Sequence, residues 1–220
     1  MQRRNVFVTG ATGYLGRRMI PDLVERGHTV RALVRPESRG RLPAGCEAIT
    51  GNALDGASFA LRVPPSDTFL HLVGVPHPSP AKAALFRSVD LASIRASAEA
   101  AAQAGIAHFV YVSVAHPAPV MKAYWGARAE GEAILREKGL NATILRPWYV
   151  LGPGHRWPYL LLPAYWMLER LPATRATARR LGLLTLEEMA WALVYAIESP
   201  TEGVRTLEVP EIRDLRTDRS

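Results

Sequence analysis

The chain has 220 residues, of which 48% are hydrophobic, and its 27 basic and 20 acidic side chains leave a formal charge of +7. Such a length and apolar content suit one domain with a sizeable core and a small elaboration. The single cysteine, Cys46, excludes an internal disulfide and a multi-cysteine metal site, and no apolar run reaches the ~18 residues that a membrane span requires.

A reducing, cytoplasmic compartment is therefore expected. The apolar run after Arg3 and Arg4 ends at Gly10, too short for a signal-peptide core. All basic residues but Lys82, Lys122 and Lys138 are arginine, and they are spread along the chain without a stripe of interleaved aromatics. Nucleic acid is thus not the expected partner; an anionic small molecule or a lipid surface is a better use of the charge.

In chain order, short apolar runs alternate with helical patterns. NVFVTG (5–10), TVRALVR (29–35), EAIT (47–50), TFLHLVGV (68–75), HFVYVSV (108–114) and ATILRP (142–147) read as strands, apolar enough to be covered on both faces. Between the later ones lie the Ala-rich DLASIRASAEAAAQAG (90–105) and AYWGARAEGEAILREKG (123–139), each closed by the glycine that favours a helix C-terminus. Parallel strands need crossovers, so this order predicts an α/β fold with a doubly wound parallel sheet. After Arg146 the Pro- and Gly-rich PWYVLGPGHRWP reads as a loop, followed by YLLLPAYWMLERL, a basic TRATARR, a helix LEEMAWALVYAIESP and a last strand VRTLEV. The expected division is a core over 1–146 and a small substrate lobe over 147–220.

The first strand runs into Gly10, Gly13 and Gly16 and then directly into a helix. In that context Gly10 permits a tight turn, Gly13 lets backbone approach a pyrophosphate, and Gly16 lets the helix pack closely. Thr12 belongs to the same turn, and amides near Tyr14 and Leu15, at the positive end of the helix, would meet phosphates. About 20 residues on, where an acidic side chain would accept from a free ribose 2′-hydroxyl, the chain has Arg35, with Arg39 close behind. Guanidinium groups pair with phosphate, so NADP is the expected cofactor, with NAD as the alternative.

With TGATGYLG (9–16), GN (51–52), HLVG (71–74), FVYVSV (109–114) and ILRPWYVLGPG (144–154), the chain resembles the short-chain dehydrogenase/reductases. Within them it is most similar to the atypical branch that includes NmrA-like redox-sensing proteins and the accessory subunit of respiratory complex I. The likeness runs from Asn5 to Gly154 and weakly to TLEEMAWAL (185–193). It implies an NAD(P)-binding Rossmann fold in which Asn52 and Ala53 line the adenine, Val73, Gly74 and Val75 flank the riboses, and Pro147, Trp148 and Tyr149 approach the nicotinamide.

The family's catalytic pattern is a Tyr followed four positions later by a Lys, with a Ser from the strand before. Four residues on a helix share a face, so the cation can favour the ionised phenol and hold the nicotinamide ribose. Here the pair is Tyr124 and Arg128, with Ser113 at the strand end, so arginine stands where the family has lysine. Three functions follow from the resemblance: an NADP(H)-dependent reductase of a small hydrophobic carbonyl compound, a non-catalytic redox sensor or assembly factor, or an epimerase or dehydratase.

The six histidines show no metal-ligand spacing, and no metal is expected. His116, three residues past Ser113, is a candidate proton relay, and His77 sits in a proline-rich loop where ligands bind in this architecture. The apolar RWPYLLLPAYWMLERL (156–171), with Arg170, Arg175, Arg179 and Arg180 following, suits a pocket wall for a hydrophobic substrate, a dimer face, or peripheral membrane contact through 156–180. Oligomeric state is left open by the sequence.

Overall fold

The computed structural model describes residues 2–153 and 175–217. Seven parallel strands form the main sheet: β1 (Asn5–Thr9), β2 (Thr29–Val34), β3 (Glu47–Thr50), β4 (Thr68–His71), β5 (His108–Val112), β6 (Ala142–Arg146) and β9 (Val204–Glu208), in the order β3-β2-β1-β4-β5-β6-β9. All six internal strands of the sequence reading and the final one are therefore present. The order reverses between β1 and β4, which opens a crevice above their carboxyl ends.

Alternation along each strand sends side chains to two separate layers. Val6 and Val8 face a cluster with Met19, Ile20 and Leu23 of α1 (Tyr14–Glu25) and Met189, Leu193 and Ile197 of α6 (Leu186–Glu198). Phe7 faces the opposite cluster, with Phe69, Phe109 and the inner residues Ile94, Ala98 and Ala101 of α3 (Ala92–Gln103). Leu135, on α4 (Lys122–Glu137), completes that second layer. Burial of each large apolar side chain contributes about 1.5–3 kcal/mol, and the sheet collects them on both faces.

The helix after β4 begins irregularly. A single turn, α2 (Ala83–Leu85), runs into a wider π-turn over Phe86–Leu91 before α3 becomes regular. α6 starts on a capping box: the Thr185 hydroxyl accepts from the Glu188 N–H (3.1 Å), and the Glu188 carboxylate accepts from the Thr185 N–H (2.7 Å).

The expected division at residue 146 needs a correction. β9 pairs with β6 in full register, and α6 packs against α1, so the last strand of the sheet and one of its covering helices come from the segment assigned to a lobe. A parallel strand is satisfied only by a partner along its whole length, and β6 offered the free edge. What stands apart is a short parallel pair, β7 (Tyr149–Leu151) with β8 (Leu183–Thr185). α5 (Arg175–Arg180) precedes β8, and α7 (Val209–Thr217) follows β9. The apolar stretch 156–171, His155 and Arg170 lie outside the described residues. Among the described residues no helix is long and apolar enough to cross a membrane.

Candidate functional site

A cleft of about 360 Å³ lies at the carboxyl ends of β1 to β4. Gly10, Thr12 and Gly13 line it from the first turn, Arg35 and Ser38 from the segment after β2, Asn52 and Ala53 from the segment after β3, and Val73 and Gly74 from the segment after β4. The sequence thus placed most of its cofactor candidates in one concavity.

The glycines act partly as expected and partly through tighter contacts. Gly10 has φ of 83°, and a Cβ there would stand 2.7 Å from the Leu72 carbonyl carbon, so this position is closed to side chains by conformation and by the approach of β4. A Cβ on Gly16 would stand 2.5 Å from the Ala11 carbonyl oxygen, which pins α1 against the loop. Gly13 is the N-cap of α1, and no side chain caps that end. The helix N-terminus therefore faces the crevice with its positive dipole end unanswered by a side chain, a cradle that fits a pyrophosphate.

The side chains of Tyr14 and Leu15 do not line the cleft. The Tyr14 hydroxyl lies where a Cβ on Gly152 would be, and Leu15 packs on the core. The Asn52 N–H donates to Ser58 Oγ (2.9 Å) and its side-chain oxygen accepts from the Leu54 N–H (3.1 Å), which shapes the turn after β3. Arg35 is 62% exposed and pairs with Glu37 at 3.2 Å, within reach of the cleft mouth. Ser38, buried at 3%, went unnoticed in the sequence; it accepts from Arg41 Nη2 at 2.6 Å.

Tyr124 and Arg128 are brought together. The Arg128 guanidinium carbon lies 5.6 Å from the Tyr124 ring centre and 5.9 Å from that of Tyr111, and the residue is buried. Arg128 Nη2 pairs with Asp90 Oδ1 at 2.6 Å, and Nη1 donates to the Val112 carbonyl at 2.9 Å. A Cβ on Gly74 would collide with the guanidinium, so this glycine also makes room for Arg128. Burial opposes the Arg128 charge, but Tyr124, Tyr111 and Asp90 outweigh it and hold its pKa above the ordinary value. Burial pushes the Asp90 carboxyl up against the opposing pull of Arg128.

Val75 is buried and gives its N–H to Asp90 Oδ2 (3.1 Å), while the buried Pro147 accepts from the Ala115 N–H (2.9 Å). Tyr124 packs with Phe86 and Val75. Tyr149 lies nearby, its pKa raised by burial and by Tyr124.

Ser113 belongs to a different cluster. It is 2% exposed, and its Oγ donates to Glu132 Oε1 at 2.7 Å. Glu132 also takes His116 Nε2 (3.0 Å) and both Nε (2.9 Å) and Nη2 (2.5 Å) of Arg146. Burial works against its charge, yet the hydrogen bonds from Arg146, Ser113 and His116 hold its pKa down to about 2. His116 stacks on Trp125 with rings 6.1 Å apart. His77 occupies an exposed turn with φ of 50°, whose carbonyl accepts from Lys82 Nζ at 3.0 Å. Beneath the cleft, His71 is buried between Thr9 and Ser97 at 2.9 and 3.0 Å, and burial pushes its pKa down to about 3.

Besides Ser38, the sequence reading missed Asp90 and Glu132. One signal was available: Tyr124, Arg128 and Glu132 recur every four residues and share one face of α4.

Residues 10–156 match the family model described as NAD(P)H-binding. Among curated relatives, a ceramide reductase of Caulobacter vibrioides is 28% identical over 215 residues, 97% of this chain and 65% of the relative, so the chain spans about two thirds of that protein's length. A protein named uncharacterized sugar epimerase YhfK, of Bacillus subtilis, is 33% identical over 153 residues, 64% of this chain and 70% of the relative. The enzyme WbmH of Bordetella bronchiseptica, solved in complex with NAD+, shares the fold with a TM-score of 0.70 at 19% identity, over 94% of this chain and 76% of that one. The chain belongs to the NAD(P)H-binding family, of the atypical short-chain dehydrogenase/reductase type.

Proposed function

We propose that this protein is an NADP(H)-dependent reductase of a hydrophobic carbonyl compound, with Tyr124 as the proton donor to the carbonyl oxygen. The observation that carries this reading is the stacking of Tyr124 on the buried Arg128 cation beside Gly74, at the edge of the dinucleotide cleft. When bound, the cofactor supplies the hydride. Gly10, Gly13 and the α1 N-terminus hold the pyrophosphate, Arg35 and Ser38 face the 2′-phosphate, and Asn52 and Ala53 line the adenine.

Arg128 holds the nicotinamide ribose and favours negative charge on the neighbouring phenol. Tyr124 gives its proton to the oxygen as the carbonyl carbon is reduced to an alcohol, and the half-buried phenol is reprotonated from solvent. A lipid-like substrate is supported by two relatives' names: the ceramide reductase, and a ketoreductase of a farnesyl dihydroquinoline oxide from Stigmatella aurantiaca, 27% identical over 168 residues, 66% of this chain and 50% of that protein.

A second reading, a cofactor-binding sensor without turnover, is favoured by Ser113, which is buried and committed to Glu132. Calorimetry with NADPH and NADH, followed by NADPH absorbance with hydrophobic aldehydes, ketones and quinones, separates the two. The reductase consumes NADPH, and Tyr124→Phe lowers its kcat about 100-fold with cofactor affinity unchanged. Binding without consumption across the panel supports the sensor, and equal turnover by the variant excludes the phenol as donor.

A further inference from the structure

Arginine at position 128 departs from the family pattern, and its surroundings are built for it. A guanidinium is a planar fork with five donors, whereas an ammonium is a compact point charge. Here the fork uses one nitrogen on the Val112 carbonyl (2.9 Å) and another on Asp90 (2.6 Å), and lies against two aromatic rings. Its Nε is buried, with no hydrogen-bond partner among the described residues.

The carboxylate that anchors it is itself anchored. Asp90 is 1% exposed, accepts from the Val75 N–H through Oδ2 (3.1 Å), and has its own carbonyl taken by Ser93 Oγ (3.0 Å). It lies in the π-turn over Phe86–Leu91, an irregularity of the kind that re-aims side chains near functional sites. The geometry of Gly74 closes the arrangement, because any side chain there would meet the guanidinium.

We propose that Asp90 is a positioning residue: it locks the Arg128 fork against Val112 and Tyr124 so that the guanidinium edge beside Gly74 stays turned to the cleft, where the nicotinamide ribose would lie, making arginine and not lysine the working residue of this site. The inference rests on the reading of Arg128 as the ribose-holding cation. Asp90 touches neither substrate nor cofactor and acts only through Arg128.

The test uses the full chain and three variants, Asp90→Asn, Arg128→Lys and the pair combined. Each is measured for thermal midpoint, NADPH affinity and binding stoichiometry by calorimetry, and kcat and KM on whichever carbonyl the wild type reduces. Asp90→Asn is expected to weaken NADPH binding about tenfold, the equivalent of one misplaced hydrogen bond, with stoichiometry unchanged. kcat falls with it, while KM for the carbonyl holds. Arg128→Lys is expected to lose as much, although it restores the family residue, and the combined variant is expected to be no worse than the weaker single one, since both remove the same coupled unit.

A merely structural aspartate would instead lower the thermal midpoint and the stoichiometry at unchanged affinity, which overturns the proposal. So does wild-type behaviour of Arg128→Lys, which decides the matter if Asp90→Asn does not fold. Should the wild type bind NADPH and reduce nothing, the reductase reading falls while the affinity comparison still decides the role of Asp90. No NADPH binding by the wild type overturns both.

Discussion

The two halves of the site are made in different ways. The cofactor half is backbone: Gly10 in a positive-φ turn against Leu72, Gly16 pressed on Ala11, and a helix end that no side chain caps. The other half, around the proposed proton donor, is buried charge: Arg128 with Asp90, and in a neighbouring cluster Glu132 with Ser113, His116 and Arg146. The glycine turn itself is specified within a dozen neighbouring residues, with Leu72 closing over it once β4 has paired, whereas the second half forms only when the π-turn, α4, β5 and β6 have packed. A turn that needs glycine tolerates almost nothing else, whereas a buried ion tolerates change as far as its partner can follow.

The sharpest way to break that comparison is Gly10→Ala. A β-carbon in that conformation combines backbone strain with a collision against β4, about 3 kcal/mol together, and is expected to abolish NADPH binding and lower the thermal midpoint. Wild-type affinity in this variant would mean that the loop re-forms without its glycine.

Glu132→Gln tests the charged half. Removing one partner of a buried cluster leaves Arg146 under-compensated, and the expected loss is about 3 kcal/mol in denaturant unfolding at neutral pH. Its pH signature has a definite sign. The carboxyl is held down to about 2 in the folded chain against an ordinary value of 4.5. Its contribution is therefore fully present above pH 4.5 and lost as pH falls toward 2. That part of the acid limb should flatten in the variant, and an unchanged limb would assign acid sensitivity elsewhere, with the buried His71 and His108 next in line.

The smallest effect sharpens cofactor choice. Arg35 is exposed and, among the described residues, pairs with Glu37, so Arg35→Ala should leave stability and NADH affinity alone and weaken NADPH about tenfold. Equal losses for both cofactors would remove the 2′-phosphate from the account.

Much of this was legible in the residue order. The strands, the glycine turn, the helices closed by Gly105 and Gly139, and the Tyr124/Arg128 spacing all depend on local conformation or on periodicity, which neighbouring residues decide. The segment after Arg146 was harder, because VRTLEV reads as a strand but nothing in it says which edge it will join; pairing with β6 put it in the main sheet.

The sequence by itself determined a doubly wound nucleotide-binding scaffold, because glycine conformations and apolar alternation are properties of short segments. Only the tertiary structure decided that Asp90 would meet Arg128, and that Ser113 would turn to Glu132, 19 residues along the chain. Buried charges must find their counter-charges wherever packing brings them, and no local pattern records that distance.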